Sequence, residues 1–163
     1  MNNKLFYTFF LVASISANID KPSIPNILGD VEVNFLFEEY PIFESRYKSY
    51  EVEVRSNLAS IVDISVVIMF GTWCHDSKRE VPRMLRILDE AGVGLEQISL
   101  IGVDFNKEEP MGREKFYNLK NTPTFIFLKN GDEIGRIIER PKVSLEADLI
   151  NLMTRSLEPV VED

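Results

Sequence analysis

Cys74 is the only cysteine of the 163-residue chain, and it stands in the run Gly71-Thr72-Trp73-Cys74-His75-Asp76-Ser77. In its thiolate form a cysteine attacks disulfides. Ser77 occupies the place three residues on where a dithiol redox pair would carry its second sulfur. A Cys-x-x-Cys pair can close on itself, and Cys-x-x-Ser cannot. Any disulfide made by Cys74 therefore joins it to another molecule, and an outside thiol has to resolve it.

The neighbouring elements place this thiol where it can react. Before it runs a short apolar block, Ile64 to Phe70, rich in β-branched residues and of the length of a buried strand. After it, Val81, Met84, Leu85 and Leu88 recur at helical spacing, with Lys78, Arg79, Arg83 and Arg86 on other faces. Cys74 thus lies at a strand-to-helix junction, where unpaired backbone N–H groups and the macrodipole favour a thiolate. A protonated His75 adds to this, and Ser77 can offer its hydroxyl and amide hydrogen to the sulfur. Asp76 works the other way, since its charge disfavours a thiolate nearby. The competing reading is a lone cysteine packed as a small hydrophobe.

A second feature is Asn121-Thr122-Pro123-Thr124. Pro123 precedes an apolar run, Phe125 to Leu128, and then Lys129-Asn130-Gly131-Asp132, a hairpin signal, and a second strand over Glu133 to Glu139. A proline inside a turn at the start of a strand is a candidate for a cis peptide.

These pieces together resemble the thioredoxin superfamily. The resemblance is carried by the strand, Trp73-Cys74 at a helix start, Pro82 eight residues on, a strand at Ile98 to Phe105 and Thr122-Pro123-Thr124. It covers about residues 31–157. The stretch Gly71 to Leu85, with Ile101-Gly102-Val103-Asp104, looks most like a bacterial branch carrying Trp-Cys-x-Asp-Ser. The resemblance implies an α/β fold, a mixed central β-sheet flanked by helices on both faces. It implies that Pro123 is cis and faces Cys74 across a substrate groove, and that Pro82 kinks the helix. It makes Cys74, Ser77 and His75 the candidate catalytic set, with Trp73, Thr122 and Pro123 as candidate substrate contacts. Two departures matter. Ser77 replaces the resolving cysteine, and Ile68 stands where many thioredoxins bury an aspartate that moves protons. Peroxiredoxins place a threonine three residues before their cysteine, whereas Thr72 is two before.

The expected activity is that of a monothiol thiol–disulfide oxidoreductase, with thiol- or disulfide-containing proteins as partners and glutathione as a possible external thiol. The alternative is a non-catalytic module that binds peptides on the same scaffold. No metal or nucleotide cofactor is expected. His75 is the only histidine and adjoins the only cysteine, which argues against zinc. Asp104, Glu108 and Glu109 match no calcium-loop spacing and read as loop charges. The formal net charge of −8 argues against nucleic acid and anionic membrane surfaces. Arg79, Arg83 and Arg86 form either a solvated helix face or a stripe for an acidic partner or the carboxylates of glutathione.

The length suits one domain with a sizeable core. Lys4, the apolar Leu5 to Val12 and the small residues Ala13, Ser14, Ser16 and Ala17 read as a signal peptide over 1–17. That segment is shorter than the about 20 apolar residues of a membrane span. The expectation is an exported chain, periplasmic or secreted, with no stable membrane span after cleavage. Residues 18–30, with Pro22, Pro25 and Gly29, read as a linker before a domain over 31–163. Val31, Val33, Phe35 and Phe37 alternate as a strand would, and Pro41 opens a helix through about Tyr50. Leu58 and Ile61 suggest a further helical turn, Arg113 to Leu119 another helix, and a last helix starts near Val143.

Overall fold

The computed structural model describes residues 25–53 and 63–157. Ten principal elements follow one another: β1 (Gly29–Val31), α1 (Val33–Glu39), α2 (Pro41–Ser49), β2 (Ser65–Phe70), α3 (His75–Glu90), β3 (Ile98–Gly102), α4 (Arg113–Phe116), β4 (Thr124–Lys129), β5 (Asp132–Ile138) and α5 (Leu145–Leu157). The strands form one mixed sheet in the order β1-β3-β2-β4-β5. β2 and β3 run parallel, and the other three pairings are antiparallel.

β2 is central, so both of its faces are covered and its residues read as a continuous apolar run. Val66, Ile68 and Phe70 point into the main core with Phe125, Phe127 and Leu100. Onto that face pack Leu36 of α1, Phe43 of α2, the α3 residues Val81, Met84, Leu85, Ile87 and Leu88, and Leu145, Leu149 and Met153 of α5. Val67, Met69, Ile101, Val103 and Ile126 form a smaller cluster on the opposite face, covered by Tyr117 and Leu119 after α4. The sheet is mixed and flanked by helices, as the sequence implies, and the segment just after α4 covers the second face.

The expected hairpin closes through Asn130 (φ 55°) and Gly131 (φ 91°), the positive pair that a two-residue turn between twisted strands requires. Ser144 caps α5, its hydroxyl accepting from Ala147 N at 3.1 Å.

The alternation Val31, Val33, Phe35, Phe37 does not make a strand. β1 ends at Val31, and α1 begins at Val33. The competing period wins: Leu36 and Tyr40 are buried, and Val33 and Phe37 pack against the core, at i, i+3, i+4 and i+7. Phe35, off that stripe, is 49 % exposed. α2 starts at Pro41 as expected. Gly29 and Asp30, at the end of the stretch read as linker, pair with Gly102 and Ile101 of β3. β3 stops at Gly102 rather than Phe105, although Val103 N still donates to Phe70 O at 2.8 Å. The helix expected over Arg113 to Leu119 is one turn, Arg113–Phe116. Leu58, Ile61 and the segment 1–17 lie outside the described residues.

Glu109 is no plain loop charge. It is buried, and its carboxylate accepts from Arg113 Nε at 3.2 Å and Nη2 at 3.1 Å, while Arg113 Nη1 reaches Asp30 at 2.6 Å. The Arg113 side-chain hydrogen bonds hold the Glu109 carboxyl below the usual carboxylate range against the opposing effect of its burial. This bridge ties the loop before α4 to the edge strand β1.

Candidate active site around Cys74

β2 delivers the chain to Gly71 at the end of the central strand, and α3 leaves from Cys74. Cys74 is the N-cap of α3 with an extended backbone (φ −74°, ψ 128°), its N–H donating to Gly71 O and its C=O accepting from Lys78 N, both at 3.0 Å. No side chain caps the helix, so its first N–H groups remain available beside the sulfur. The thiol is half-buried and free.

The Thr122–Pro123 bond is cis. The turn holding it is pinned on both sides. Thr124 Oγ1 donates to Asn121 O at 2.7 Å, and Glu139 N donates to Pro123 O at 2.7 Å. Thr122 O points at the thiol, and Cys74 Sγ donates to it at 3.2 Å. Two segments 48 residues apart thus meet at the sulfur. Thr122 and Pro123 are both buried.

Ser77 lies one turn on and is fully buried. Its hydroxyl accepts from Gly71 N at 3.3 Å. The structure partners its oxygen with the strand end. It locks the β2–α3 junction that sets the position of Cys74.

Trp73 walls the site. Its indole Nε1 donates to Val103 O at 3.1 Å, and its ring stacks on Phe105 with centroids 4.9 Å apart. Gly71 makes room for this: a Cβ there would lie 2.5 Å from the indole. Phe105 itself is 67 % exposed. Sequence reasoning used Phe105 only as the end of a strand; no local pattern signals that it extends the aromatic wall.

Charge around the thiol is balanced by contacts the sequence does not announce. His75 faces solvent, its side chain 79 % exposed and its Nδ1 3.8 Å from Asp76 Oδ1. Asp76 is held by Arg79 Nη2 at 2.8 Å and by Arg140, from the loop after β5, at 3.2 and 3.4 Å. Burial pushes the Asp76 carboxyl up, but Arg140, then Arg79 and His75, outweigh it and hold it below the ordinary range. Asp76 therefore stays ionised, with its charge directed into guanidinium groups rather than at the sulfur. Arg140 is 64 residues from Asp76 in sequence, and no spacing rule could pair them. The Arg140 loop is fixed in turn by Asp148, which accepts from Lys142 N at 2.6 Å and Val143 N at 3.3 Å.

The expected basic stripe of α3 is internally paired. Arg79 Nε meets the buried Glu80 at 2.5 Å, Arg83 Nη1 meets Glu80 at 3.6 Å, and Arg86 meets Glu90 at 2.5 Å and Asp89 at 3.2 Å. Arg83 and Arg86 also lie over the rings of Tyr50 and Tyr47 at 5.4 and 5.5 Å. Ile68 is fully buried under the site, paired across to Leu100 and Phe125, so no carboxyl occupies that position.

No family model matches the chain. It is 27 % identical over 90 residues, 55 % of this chain, to thioredoxin H9 of Arabidopsis thaliana, and the match spans 60 % of that protein's length. Among solved structures it is similar to the thioredoxin of Fasciola hepatica, with 24 % identity, 59 % of this chain against 83 % of that one, and a TM-score of 0.40. It is also similar to mitochondrial thioredoxin 3 of Saccharomyces cerevisiae, with 22 % identity, 64 % against 97 %, and a TM-score of 0.39. The fold is thioredoxin-like, a mixed five-stranded sheet with helices, and the chain's one cysteine caps the helix that leaves its central strand.

Proposed function

We propose that this protein is a monothiol thiol–disulfide oxidoreductase. The observation that carries the reading is the Cys74 sulfur at the open N-terminus of α3, 3.2 Å from the carbonyl that precedes cis Pro123. The Cys74 thiolate attacks one sulfur of a substrate disulfide R–S–S–R′. A Cys74–S–S–R bond forms, and R′–S⁻ leaves and takes up a proton from solvent. Ser77 has no thiol with which to resolve this mixed disulfide. An external thiol R″–SH, either glutathione or the substrate's second cysteine, attacks the R sulfur as its thiolate. R–S–S–R″ forms and the Cys74 thiolate returns. The enzyme ends as it began, so the net change is exchange, isomerisation or removal of glutathione. Trp73, Thr122 and Pro123 border the sulfur and supply the substrate groove, with Thr122 O released from the thiol as the proton leaves. His75, at the helix start, adds positive charge when protonated. Residues 1–17 act as an export signal in this reading, which places the thiol in a periplasmic or extracellular space rich in disulfides. Intact mass of the protein from the periplasm of an expressing host checks this, and a chain still starting at Met1 in the cytosol would reject it.

The activity is tested on a glutathionylated peptide with glutathione as second substrate. The wild type should release peptide thiol well above the uncatalysed rate, and Cys74→Ser should not. Equal rates for the two proteins would remove the reading. A second reading, a peptide-binding module without chemistry, is favoured by one contact: the thiol donates its proton to Thr122 O, which a thiolate cannot do. Peptide binding by wild type and Cys74→Ser alike, with no turnover by either, is what that reading requires.

A further inference from the structure

A groove between α2 and α3 opens beside the thiol. On α3, His75, Arg79 and Arg83 recur at i, i+4 and i+8 and so form one stripe. Facing them from the end of α2 are Arg46, Ser49 and Tyr50. These six residues line a cavity of about 310 Å³, and among the described residues no acidic side chain lines it. In a chain of net charge −8 this is a local reversal of sign. Two of the arginines are partly neutralised: Arg79 by Asp76 and Glu80, Arg83 by Glu80, both carboxylates lying outside the lining. Arg46 differs, because its Nη1 is buried and has no hydrogen-bond partner. A buried guanidinium nitrogen without an acceptor costs stability unless something supplies one. The hydroxyls nearby send their protons elsewhere, Ser49 Oγ to Arg46 O at 3.4 Å and Tyr50 OH to Glu146 at 2.8 Å, and neither oxygen partners Nη1.

We infer that this groove receives a carboxylate carried by the substrate whose disulfide Cys74 attacks, so that acidic residues close to the substrate cysteine set specificity. The inference deepens the oxidoreductase reading and rests on it for its chemistry, though not for binding. Lengths agree with it. From His75 to Arg83 the helix rises about 12 Å, at about 1.5 Å per residue. An extended peptide leaving the sulfur covers that in three or four residues, at about 3.3 Å each. The preferred substrate therefore carries Asp or Glu within about four positions of its cysteine. A carboxylate has two sources here, an acidic protein segment or glutathione itself, and the test separates them.

The Cys74→Ser protein is titrated with a cysteine-free acidic peptide, its Asn/Gln counterpart and S-methyl glutathione. Trp73, the only tryptophan and two residues from the groove's His75, is the fluorescent reporter, with calorimetry as a second readout. The acidic peptide should bind about fivefold to tenfold tighter than its amide counterpart in low salt, since each partly exposed ion pair adds up to about a factor of five. The preference should shrink in high salt and fall below about twofold in Arg46→Ala, while Arg46→Lys, which keeps the charge, should retain part of it. Equal affinities, or a preference untouched by both Arg46→Ala and Arg83→Ala, would overturn the inference. S-methyl glutathione binding with the same dependence on Arg46 assigns the groove to the free tripeptide, whereas peptide binding alone assigns it to protein segments. Exchange rates of the wild type with the matching peptide disulfides complete the design. Charge-dependent binding without any exchange would defeat the oxidoreductase reading and leave the groove standing. Exchange at one rate for acidic and neutral peptides would do the reverse.

Discussion

Replacing Ser77 by cysteine tests geometry and mechanism together. Residue 77 lies one turn into α3 from the capping Cys74, and side chains three apart on a helix have Cβ atoms about 5–6 Å apart. A disulfide needs Cβ atoms about 3.5–4.5 Å apart, so about 1 Å of adjustment is required. The extended backbone of Cys74 (ψ 128°) leaves that residue outside the helical ladder and able to make it. Two effects set the magnitude. The Ser77 hydroxyl accepts from Gly71 N at 3.3 Å, and losing that bond costs about 1 kcal/mol. Closing a loop of about four residues gives back about 2 kcal/mol by restricting the unfolded chain. Strain only subtracts, so the oxidised variant should exceed the wild type by at most about 1 kcal/mol, a few degrees in Tm. The reduced variant should fall below the wild type by a similar amount. Mild oxidation followed by thiol counting and intact mass should show both thiols consumed and two hydrogens lost within one chain. With a small-molecule reductant the variant should then reduce insulin disulfides catalytically, where wild type does not. The gain should be limited, because Ile68 is fully buried at the position beneath the site and offers no proton-accepting group. A folded variant that keeps both thiols after oxidation would refute the placement of residue 77 against Cys74.

Four further outcomes follow from the same geometry. Gly71→Ala puts a methyl carbon 2.5 Å from the Trp73 indole; the ring must leave Val103 O and Phe105, and the Trp73 emission should shift to the red, an unchanged spectrum contradicting the packing. Arg113→Ala leaves the Glu109 carboxylate buried and should cost about 3 kcal/mol in denaturant unfolding, the low end for a broken buried pair because Arg113 is partly exposed; a loss below about 1 kcal/mol would show that the bridge does not hold β1. The Glu109 carboxyl binds protons more weakly folded than unfolded, so its stabilisation is full above about 4.3 and drains as the pH falls through the lower folded value. Calorimetry should show wild type losing stability as the pH falls below about 4.3, with a shallower slope in Glu109→Gln. Arg140→Ala removes the side chain that takes two contacts to Asp76, freeing its charge toward the sulfur, and should slow alkylation of Cys74 in low salt; Asp76→Asn on top should restore the rate, and failure to restore it would mean that Arg140 acts by some route other than Asp76.

The sequence by itself determined the elements whose cause is local. Ile64 to Phe70 had to be a covered strand, because its five consecutive apolar residues, Val66 to Phe70, leave no polar face. Val81, Met84, Leu85 and Leu88 fixed which side of α3 is buried. Asn130-Gly131 fixed a hairpin, because those residues tolerate the positive φ its turn needs. Together they put Cys74 at a helix N-terminus, with Ser77 where a second sulfur would be. Where two local periods competed, at Val31 to Tyr40, the sequence could not choose; Leu36 and Tyr40 became helical once the core offered a stripe rather than a sheet face to cover. The resemblance set Pro123 opposite Cys74, but the individual long-range contacts around the site were decided by the tertiary structure. Thr122 O meets Cys74, Arg140 takes up Asp76, Phe105 stacks on Trp73, and Arg46 faces the stripe of α3, all through the order in which strands and helices are laid side by side. The physical reason is that hydrogen bonds and ion pairs act over a few ångströms, and only the finished sheet brings residues tens of positions apart within that range.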